Sequence, residues 1–171
     1  MRRSRATWKR GNSMVEFTLV AIPMIFVMIS TVEMARGMWS YHSLANAVRG
    51  AGRYAVVHGS DCSGGTNTCT VTVGQVVNNF ISSGTGLPIN STDLTVTLTS
   101  QSGSVTCNPV SSCRSNATTW PPVASASPGA SITVSAKYHF KSAWFMMTPG
   151  SAGSALISPN LSATTTQAVQ F

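Results

Sequence analysis

The stretch MVEFTLVAIPMIFVMISTV, residues 14–32, decides the fold of this chain of 171 residues. Apart from one glutamate near its start, Glu16, these 19 residues carry no charged side chain. As a helix with a rise of about 1.5 Å per residue, they would reach roughly 28 Å, which is close to the hydrocarbon thickness of a bilayer. The stretch therefore predicts a transmembrane helix.

Basic residues cluster on the N-terminal side of this stretch. The first ten positions hold five of the eleven Lys and Arg residues, whereas residues 12–171 hold six basic and four acidic ones. The high isoelectric point of the chain is therefore due largely to a short N-terminal tail, and we expect no nucleic-acid partner. By the positive-inside rule, the N-terminus is predicted to be cytoplasmic and everything after Glu33 to lie outside.

An amphipathic pattern continues the helix beyond the membrane, to about Val57. The apolar and small residues recur at spacings of four and three: Met34, Met38, Tyr41, Ala45, Val48, Gly52 and Ala55. Another face is polar and comprises Arg36, Ser40, Ser43, Asn46, Arg49 and Arg53. We expect the apolar stripe to pack on the protein's own sheet, with a partner helix as the alternative, and we expect Pro23 to kink the membrane half.

The remaining sequence predicts a small α+β domain. Val76, Val77, Phe80 and Ile81 recur at helical spacing and predict a short second helix. Apolar and polar residues alternate over 94–99, 131–140 and 161–169, which is typical of strands. A long loop is expected over 100–130, with an extra short strand at 104–107 as the alternative. The predicted fold is one long N-terminal helix, a short helix and a small antiparallel sheet with disulfide-stapled loops.

Four cysteines, Cys62, Cys69, Cys107 and Cys113, all fall in the part predicted to lie outside. An even number in an oxidising compartment indicates two disulfides. Of the three possible connectivities we favour the local pairs, because each pair lies in a loop rich in Gly, Ser and Asn. Since the chain has no C-x-x-C motif and no histidine close to either pair, zinc is disfavoured, and we expect no metal and no cofactor.

Few residues could support catalysis. Beyond Glu33 the chain has two aspartates, three histidines and no glutamate, and it has none of the common nucleophile, phosphate-loop or metalloprotease motifs. We therefore expect no enzyme and assign no catalytic residue; a thiol redox role is a weaker alternative. The apolar cluster Trp144–Met147 is expected to fold over the core, with a surface that touches lipid or a neighbouring subunit as the alternative.

The N-terminal sequence combines a basic leader with RGNSMVEF, residues 10–17, in which Glu16 follows Gly11 by five residues and precedes the aromatic Phe17. Together with VEFTLVAIP, residues 15–23, and SLANAVRGAGRYAVV, residues 43–57, it resembles type IV pilins. The resemblance is closest to the TadE-like pseudopilins of Flp (Tad) pilus systems. It covers residues 9–57 and extends weakly to the C-terminal strand.

This resemblance implies that a prepilin peptidase cuts after Gly11 and leaves Asn12 as the new N-terminus. Glu16, beside Phe17, would then attract the amine of an adjacent subunit. The implied helix-packing residues are Pro23, Arg53 and Tyr54. The implied partners are the peptidase, other pilus or pseudopilin subunits, the Tad assembly machinery and the lipid bilayer. One departure from the family pattern is the order GAGRYA at residues 50–55, where EGARYA is usual; we expect it to affect packing.

We therefore expect a minor pseudopilin that takes part in Tad pilus assembly from the bacterial inner membrane. The expected organisation is a basic cytoplasmic leader at 1–11, a transmembrane helix at 12–33, its amphipathic continuation at 34–57 and a periplasmic α+β domain at 58–171. The alternative is a secreted or membrane-anchored binding or adhesive domain. Its ordinary signal peptide would be cleaved at Ala35-Arg36-Gly37.

Overall fold

The computed structural model describes residues 10–58, 71–142 and 159–170, with side chains from Ser13 onward except that of Ala124. In chain order the elements are α1 (Arg10–Val57), α2 (Val73–Ser83), β1 (Leu94–Ser100), β2 (Gly103–Cys107), two short 3-10 helices (Val110–Cys113 and Val123–Ser125), β3 (Ser131–His139) and β4 (Asn160–Ala168). The predicted α+β class is confirmed. The chain divides into two compact units, Met1–Arg36 and Gly37–Phe171.

The first unit is described by residues 10–36, all of which are helical, so α1 continues through Pro23. Three of its hydroxyl groups are satisfied by its own backbone: Thr18, Ser30 and Thr31 donate to the carbonyl oxygens of Met14, Phe26 and Met28, each at 2.8 Å. All three hydroxyl hydrogens are therefore hydrogen-bonded, which removes the cost of placing them in apolar surroundings.

The second unit contains a four-stranded antiparallel sheet in the order β2-β1-β3-β4. The three strands expected from alternation are confirmed. The alternative of an extra strand at 104–107 is also correct, because β2 pairs with β1 over five residue pairs. Residues 100–130 are therefore more ordered than the expected long loop.

One face of the sheet forms the core together with the two helices. The alternating apolar residues of β1 and β3 are buried, and they pack in one cluster with α1 and α2. The members from the strands are Leu94, Val96, Leu98, Ile132, Val134 and Ala136, and those from the helices include Leu44, Val48, Ala51, Val76, Val77 and Phe80. Each large apolar side chain contributes about 1.5–3 kcal/mol by its burial, so this alternation specifies which face of each strand is inside.

The buried face of α1 differs from the predicted stripe. Buried positions begin at Ser43 and continue as Leu44, Ala47, Val48, Ala51, Gly52, Ala55 and Val56. Met34, Met38 and Tyr41, predicted to belong to the stripe, are exposed, and Ser43, predicted to be polar and solvent-facing, is buried. The prediction was wrong for these residues because the spacing of apolar residues is the same along the whole helix. It does not show where along α1 the rest of the second unit begins to cover the helix.

Helix α2 starts and ends with local capping. The side chain of Thr72 accepts a hydrogen bond from the backbone N–H of Gln75 at 3.3 Å, and the backbone N–H of Thr72 donates to Gln75 Oε1 at 3.0 Å. At the other end the N–H of Gly84 donates to the carbonyl of Phe80 at 3.0 Å. This capping box explains why the short helix begins at Val73.

A disulfide joins Cys107, the last residue of β2, to Cys113 in the first 3-10 helix. One of the two favoured local pairs is therefore confirmed. Cys62 and Cys69 lie outside the described residues, as does the apolar cluster Trp144–Met147.

Candidate functional site

The most unusual feature of the described residues is an apolar helix surface that no other described residue covers. From Met14 to Val32, nearly every large apolar side chain is exposed. Among the described residues, one helix is long and apolar enough to cross a membrane, and its most apolar window has a mean hydropathy of 2.1 with none of it buried. A bilayer would satisfy this surface, since soluble proteins rarely leave an apolar patch of this size in water. The helix therefore fits a single-pass membrane anchor.

Glu16 is the one charged side chain between Ser13 and Val32. It is exposed on α1, and within the described part of the chain it forms no salt bridge or hydrogen bond. The next carboxylate along the helix, Glu33, differs in this respect because its Oε1 lies 2.6 Å from Arg36 Nη1. Phe17, beside Glu16, is also exposed. Glu16 thus presents a carboxylate to its surroundings from within the most apolar part of the chain.

The processing residues expected from the resemblance, Gly11 and Asn12, lie in the first turns of α1. Glu16 follows Gly11 by five residues on the same helix, so the expected cleavage position and the expected assembly carboxylate are little more than one turn apart. Their side-chain surroundings are outside what the structure describes.

The three expected helix-packing residues occupy different environments. Pro23 lies inside α1 without ending it. Arg53 is exposed, whereas Tyr54 is partly buried against the core. Tyr54 also contacts His58, just after the end of α1. The Tyr54 carbonyl oxygen lies 2.8 Å from His58 Nδ1, and the centroids of the Tyr54 and His58 rings are 4.6 Å apart. Tyr54 is thus a packing residue of its own domain.

Gly50 and Gly52 determine how closely α1 packs against its neighbours. A Cβ at Gly50 would lie 2.8 Å from Ser83 Cβ, next to the end of α2. A Cβ at Gly52 would lie 2.8 Å from Thr165 Cγ2 of β4. Because real Cβ atoms do not approach other atoms this closely, the order Gly50-Ala51-Gly52 lets one helix contact α2 on one side and β4 on the other.

Polar side chains of α1 fix the C-terminal end of α2. Ser43 donates from Oγ to the carbonyl oxygen of Thr85 at 2.6 Å, and Asn46 donates from Nδ2 to the carbonyl of Ser83 at 3.3 Å. Ser83 is the last residue of α2, and the last carbonyls of a helix lack partners within the helix, so the amide of Asn46 satisfies a group that would otherwise need water. Ser43 is buried with its hydroxyl bonded to the turn that follows α2.

The titratable groups of the second unit show no arrangement suited to catalysis or metal binding within the described residues. No group of three or more His, Cys, Asp or Glu side chains could hold a metal there. Asp93 Oδ2 accepts from Lys141 Nζ at 2.7 Å and from Ser91 Oγ at 2.8 Å. These bonds, chiefly the one from Lys141, lower the pKa of the Asp93 carboxyl. His139 Nδ1 lies 2.9 Å from Asn160 Oδ1, which joins β3 to β4. Asp93 and His139 thus both form side-chain hydrogen bonds within the second unit.

Comparison with protein families finds a match in the N-terminal region. Residues 11–53 match the family described as TadE-like protein, and the predicted resemblance is therefore confirmed over those residues. The match spans Gly11, Glu16 and the Gly50–Gly52 segment, and the matched family is a pilus-associated family with a structural or assembly role. No curated protein and no solved structure matches the chain.

Proposed function

We propose that this protein is a minor pseudopilin that takes part in the assembly of a Tad pilus. In this proposal α1 holds the protein in the cytoplasmic membrane with its N-terminus inside, and residues 58–171 form the periplasmic domain. A prepilin peptidase removes residues 1–11, and the mature chain begins at Asn12. The TadE-like match over residues 11–53 supports this role.

The observation that carries the proposal is Glu16. A carboxylate that has no partner among the described residues, on an apolar exposed helix, is costly to keep in lipid. Cleavage after Gly11 would create a free amine on each subunit, and that amine would be equally costly alone. A pair formed by the amine of one subunit and Glu16 of the next removes both costs, and the attraction is strong because the dielectric constant around it is low.

This pairing would also set the position of one subunit along its neighbour. A displacement of one helix turn, about 5.4 Å, would separate the carboxylate from the amine. The exposed apolar side chains that flank Glu16, including Phe17, would then pack between helices or against lipid. The function requires no catalytic cycle.

The test combines Glu16→Gln with Gly11→Val in a host that has the peptidase and assembles pili. Glu16→Gln keeps the size of the side chain and removes its charge, so the chain should be cleaved after Gly11 but lost from sheared pili or from the assembly complex. Gly11→Val should leave the chain beginning at Met1. Glu33→Gln is the matched control, since it neutralises a carboxylate of the same helix that already has a partner.

Intact-mass measurement of the protein from membranes and from pili reads both outcomes. Recovery of Glu16→Gln with pili at the wild-type level would refute the role of the carboxylate. A mature chain that begins at Met38 would show cleavage after Gly37 and would support the secreted or anchored ectodomain instead.

A further inference from the structure

The sheet of the second unit ends on one side in β4, and among the described residues no strand lies beyond it. β4 has nine residues, none of which is charged and none of which is proline. It pairs with β3 in unbroken register over its whole length, so it contains no bulge. Natural proteins usually protect an edge strand by a lysine, a proline, a bulge or a covering segment. The edge of β4 is therefore chemically suited to pair with a further strand.

The hydrogen bonds between β3 and β4 show which backbone groups face this edge. The N–H of Val169 donates to the carbonyl of Ala130 at 2.8 Å, and the N–H of Phe140 donates to the carbonyl of Pro159 at 3.1 Å. Odd-numbered residues of this segment therefore bond to β3. Because the bonding alternates along an antiparallel strand, the N–H and C=O groups of the even-numbered residues point away from β3. These residues are Asn160, Ser162, Thr164, Thr166 and Ala168.

Helix α1 limits the open edge at its C-terminal end. The next outward N–H along the strand, that of Gln170, donates to the carbonyl of Val56 in α1 at 3.2 Å. Between Asn160 and Ala168, in contrast, the outward N–H and C=O groups have no hydrogen-bond partner within the part of the chain that the structure describes. The five residues that carry these groups are exposed.

Strand β2 forms the opposite edge of the sheet and offers matching groups. The N–H of His139 donates to the carbonyl of Asp93, so the odd-numbered residues of β1 bond to β3 and its even-numbered residues bond to β2. The partners of those even-numbered residues are Gly103, Val105 and Cys107. The N–H and C=O groups of the two residues between them therefore point outward; these residues are Ser104 and Thr106.

The directions and the faces of the two edge strands are compatible. β2 and β4 run in opposite directions, because three successive antiparallel pairings separate them. A second copy in the same orientation can therefore place its β2 beside β4 as one more antiparallel strand. On both strands the residues that bond outward have exposed side chains, as at Thr106 and Thr164. Directly opposed residues of two strands have side chains on the same face, so the exposed face of one sheet continues into that of the next.

The side chains that would meet across this contact are those of Ser and Thr. The sheet already contains such pairs: Thr133 Oγ1 lies 2.9 Å from Thr166 Oγ1, and Thr97 Oγ1 lies 3.5 Å from Thr106 Oγ1. Cross-strand pairs of Thr stabilise a sheet. Because neither β2 nor β4 carries a charge, no repulsion opposes the contact.

We propose that β4 of one copy of this protein pairs with β2 of a second copy in the same orientation, so that their sheets become continuous. A symmetric pairing of β4 with β4 would instead turn one copy end over end, whereas the head-to-tail pairing suits chains that are anchored in one membrane. The proposal rests on the proposed function in this respect alone. Since β2 has only two outward residues, the contact is weak by itself and depends on the membrane to hold the copies side by side. A head-to-tail contact leaves an open edge at each end, so further copies can add.

The test places cysteines on the two edges of the full-length protein, in membranes of a host that produces it. One chain carries Thr164→Cys, and a second chain with a different tag carries Thr106→Cys or Ser104→Cys. Oxidation by copper phenanthroline should join the two chains, because opposed Cα atoms lie about 5.5 Å apart, within the range of a disulfide. Peptide mapping locates the new bond between β2 and β4.

A chain that carries both Thr106→Cys and Thr164→Cys should form a ladder of multimers on a non-reducing gel. Within one chain the two strands are separated by about 14 Å, which is too far for a disulfide. Lys137→Cys is the matched control for Thr164→Cys, since Lys137 is also exposed but lies one strand farther inside the sheet. Its Cα would be about 10 Å from β2 of the second copy, so the control pair should remain monomeric.

Two outcomes overturn the proposal. The first is that Thr164→Cys joins neither Thr106→Cys nor Ser104→Cys more efficiently than Lys137→Cys does. The second is that Thr164→Cys alone forms dimers as efficiently as the mixed pair, which would show that β4 pairs with itself.

The result is independent of the Glu16 test. Cross-linking between the two edges needs neither cleavage after Gly11 nor an assembled pilus, so it should be the same in a host without the peptidase. Conversely, absence of the cross-link would leave the cleavage of the chain and the effect of Glu16→Gln on its recovery with pili unchanged.

Discussion

The close approach of α1 to β4 at Gly52 makes a quantitative prediction. In Gly52→Ala the new Cβ would lie 2.8 Å from Thr165 Cγ2, whereas ordinary contacts are 3.4–4 Å. Thr165 cannot rotate freely, because its β-branched side chain is restricted in a strand. Overpacking of this kind costs about 1–3 kcal/mol. Replacing Gly by Ala in a helix returns about 1 kcal/mol, so Gly52→Ala should be between neutral and about 2 kcal/mol less stable than the wild type.

Gly37→Ala is the matched control for this change. Gly37 lies on the same helix and in the same unit, but a Cβ there would have no described atom within 4 Å. It should therefore show only the helix-propensity gain of about 1 kcal/mol. The difference between the two variants is then about 1–3 kcal/mol, which for a chain of this size corresponds to about 3–9 °C in Tm.

Thermal unfolding of the full-length protein in detergent, followed by near-UV circular dichroism, measures this difference. A second substitution isolates the contact: Thr165→Ser removes Cγ2, so Gly52→Ala should cost little in the Thr165→Ser background. Equal Tm values for Gly52→Ala and Gly37→Ala would refute the packing role of Gly52. The same holds if Gly52→Ala lowers the Tm as much in the Thr165→Ser background as in the wild type.

Two further predictions concern the covalent and electrostatic ties of the second unit. Replacing both Cys107 and Cys113 by Ala should destabilise the fold by about 2 kcal/mol, since the disulfide closes a loop with a sequence separation of 6. Chemical denaturation of the double variant and the wild type measures this loss, and an unchanged denaturation midpoint would contradict the prediction. The Asp93 carboxyl should titrate below its ordinary pKa, because Lys141 and Ser91 hydrogen-bond to the charged form. Asp93 therefore stabilises the fold above the unfolded-state pKa of about 3.9, and this contribution is lost as the pH falls through the lowered folded-state value. Carbon-detected NMR of Lys141→Met should show the pKa of Asp93 moving back up, and no movement would contradict the assignment.

The elements of the fold could be predicted because each has a local cause. The alternation around Val134 and Leu98 identified two strands with their inner faces, and helical spacing around Phe80 identified α2. Strand β2 was harder to predict because Ser104 and Thr106 are exposed and Val105 is only partly buried. Without a buried alternating face, its pairing with β1 leaves little trace in the sequence.

The candidate assembly site stays a prediction from the sequence. A single carboxylate in an apolar stretch is visible in the sequence, as is its spacing from Gly11. One groove of the second unit was not predicted. It is lined by residues of α1, among them Arg49, and by Ser83 and Thr85. These two parts of the chain come together only when α2 packs beside α1. Arg49 by itself looked like one more residue of a solvated helix face.

The sequence by itself determined the apolar helix, its early carboxylate, the alternating strands and the candidate cysteines, because hydropathy, charge and periodicity are properties of neighbouring residues. The tertiary structure decided which surface of α1 is buried, why Ser43 is inside, and why glycines stand at positions 50 and 52. Those features depend on how closely α2 and β4 approach the helix. A distance between elements far apart in the chain is set by packing, and no local pattern encodes it.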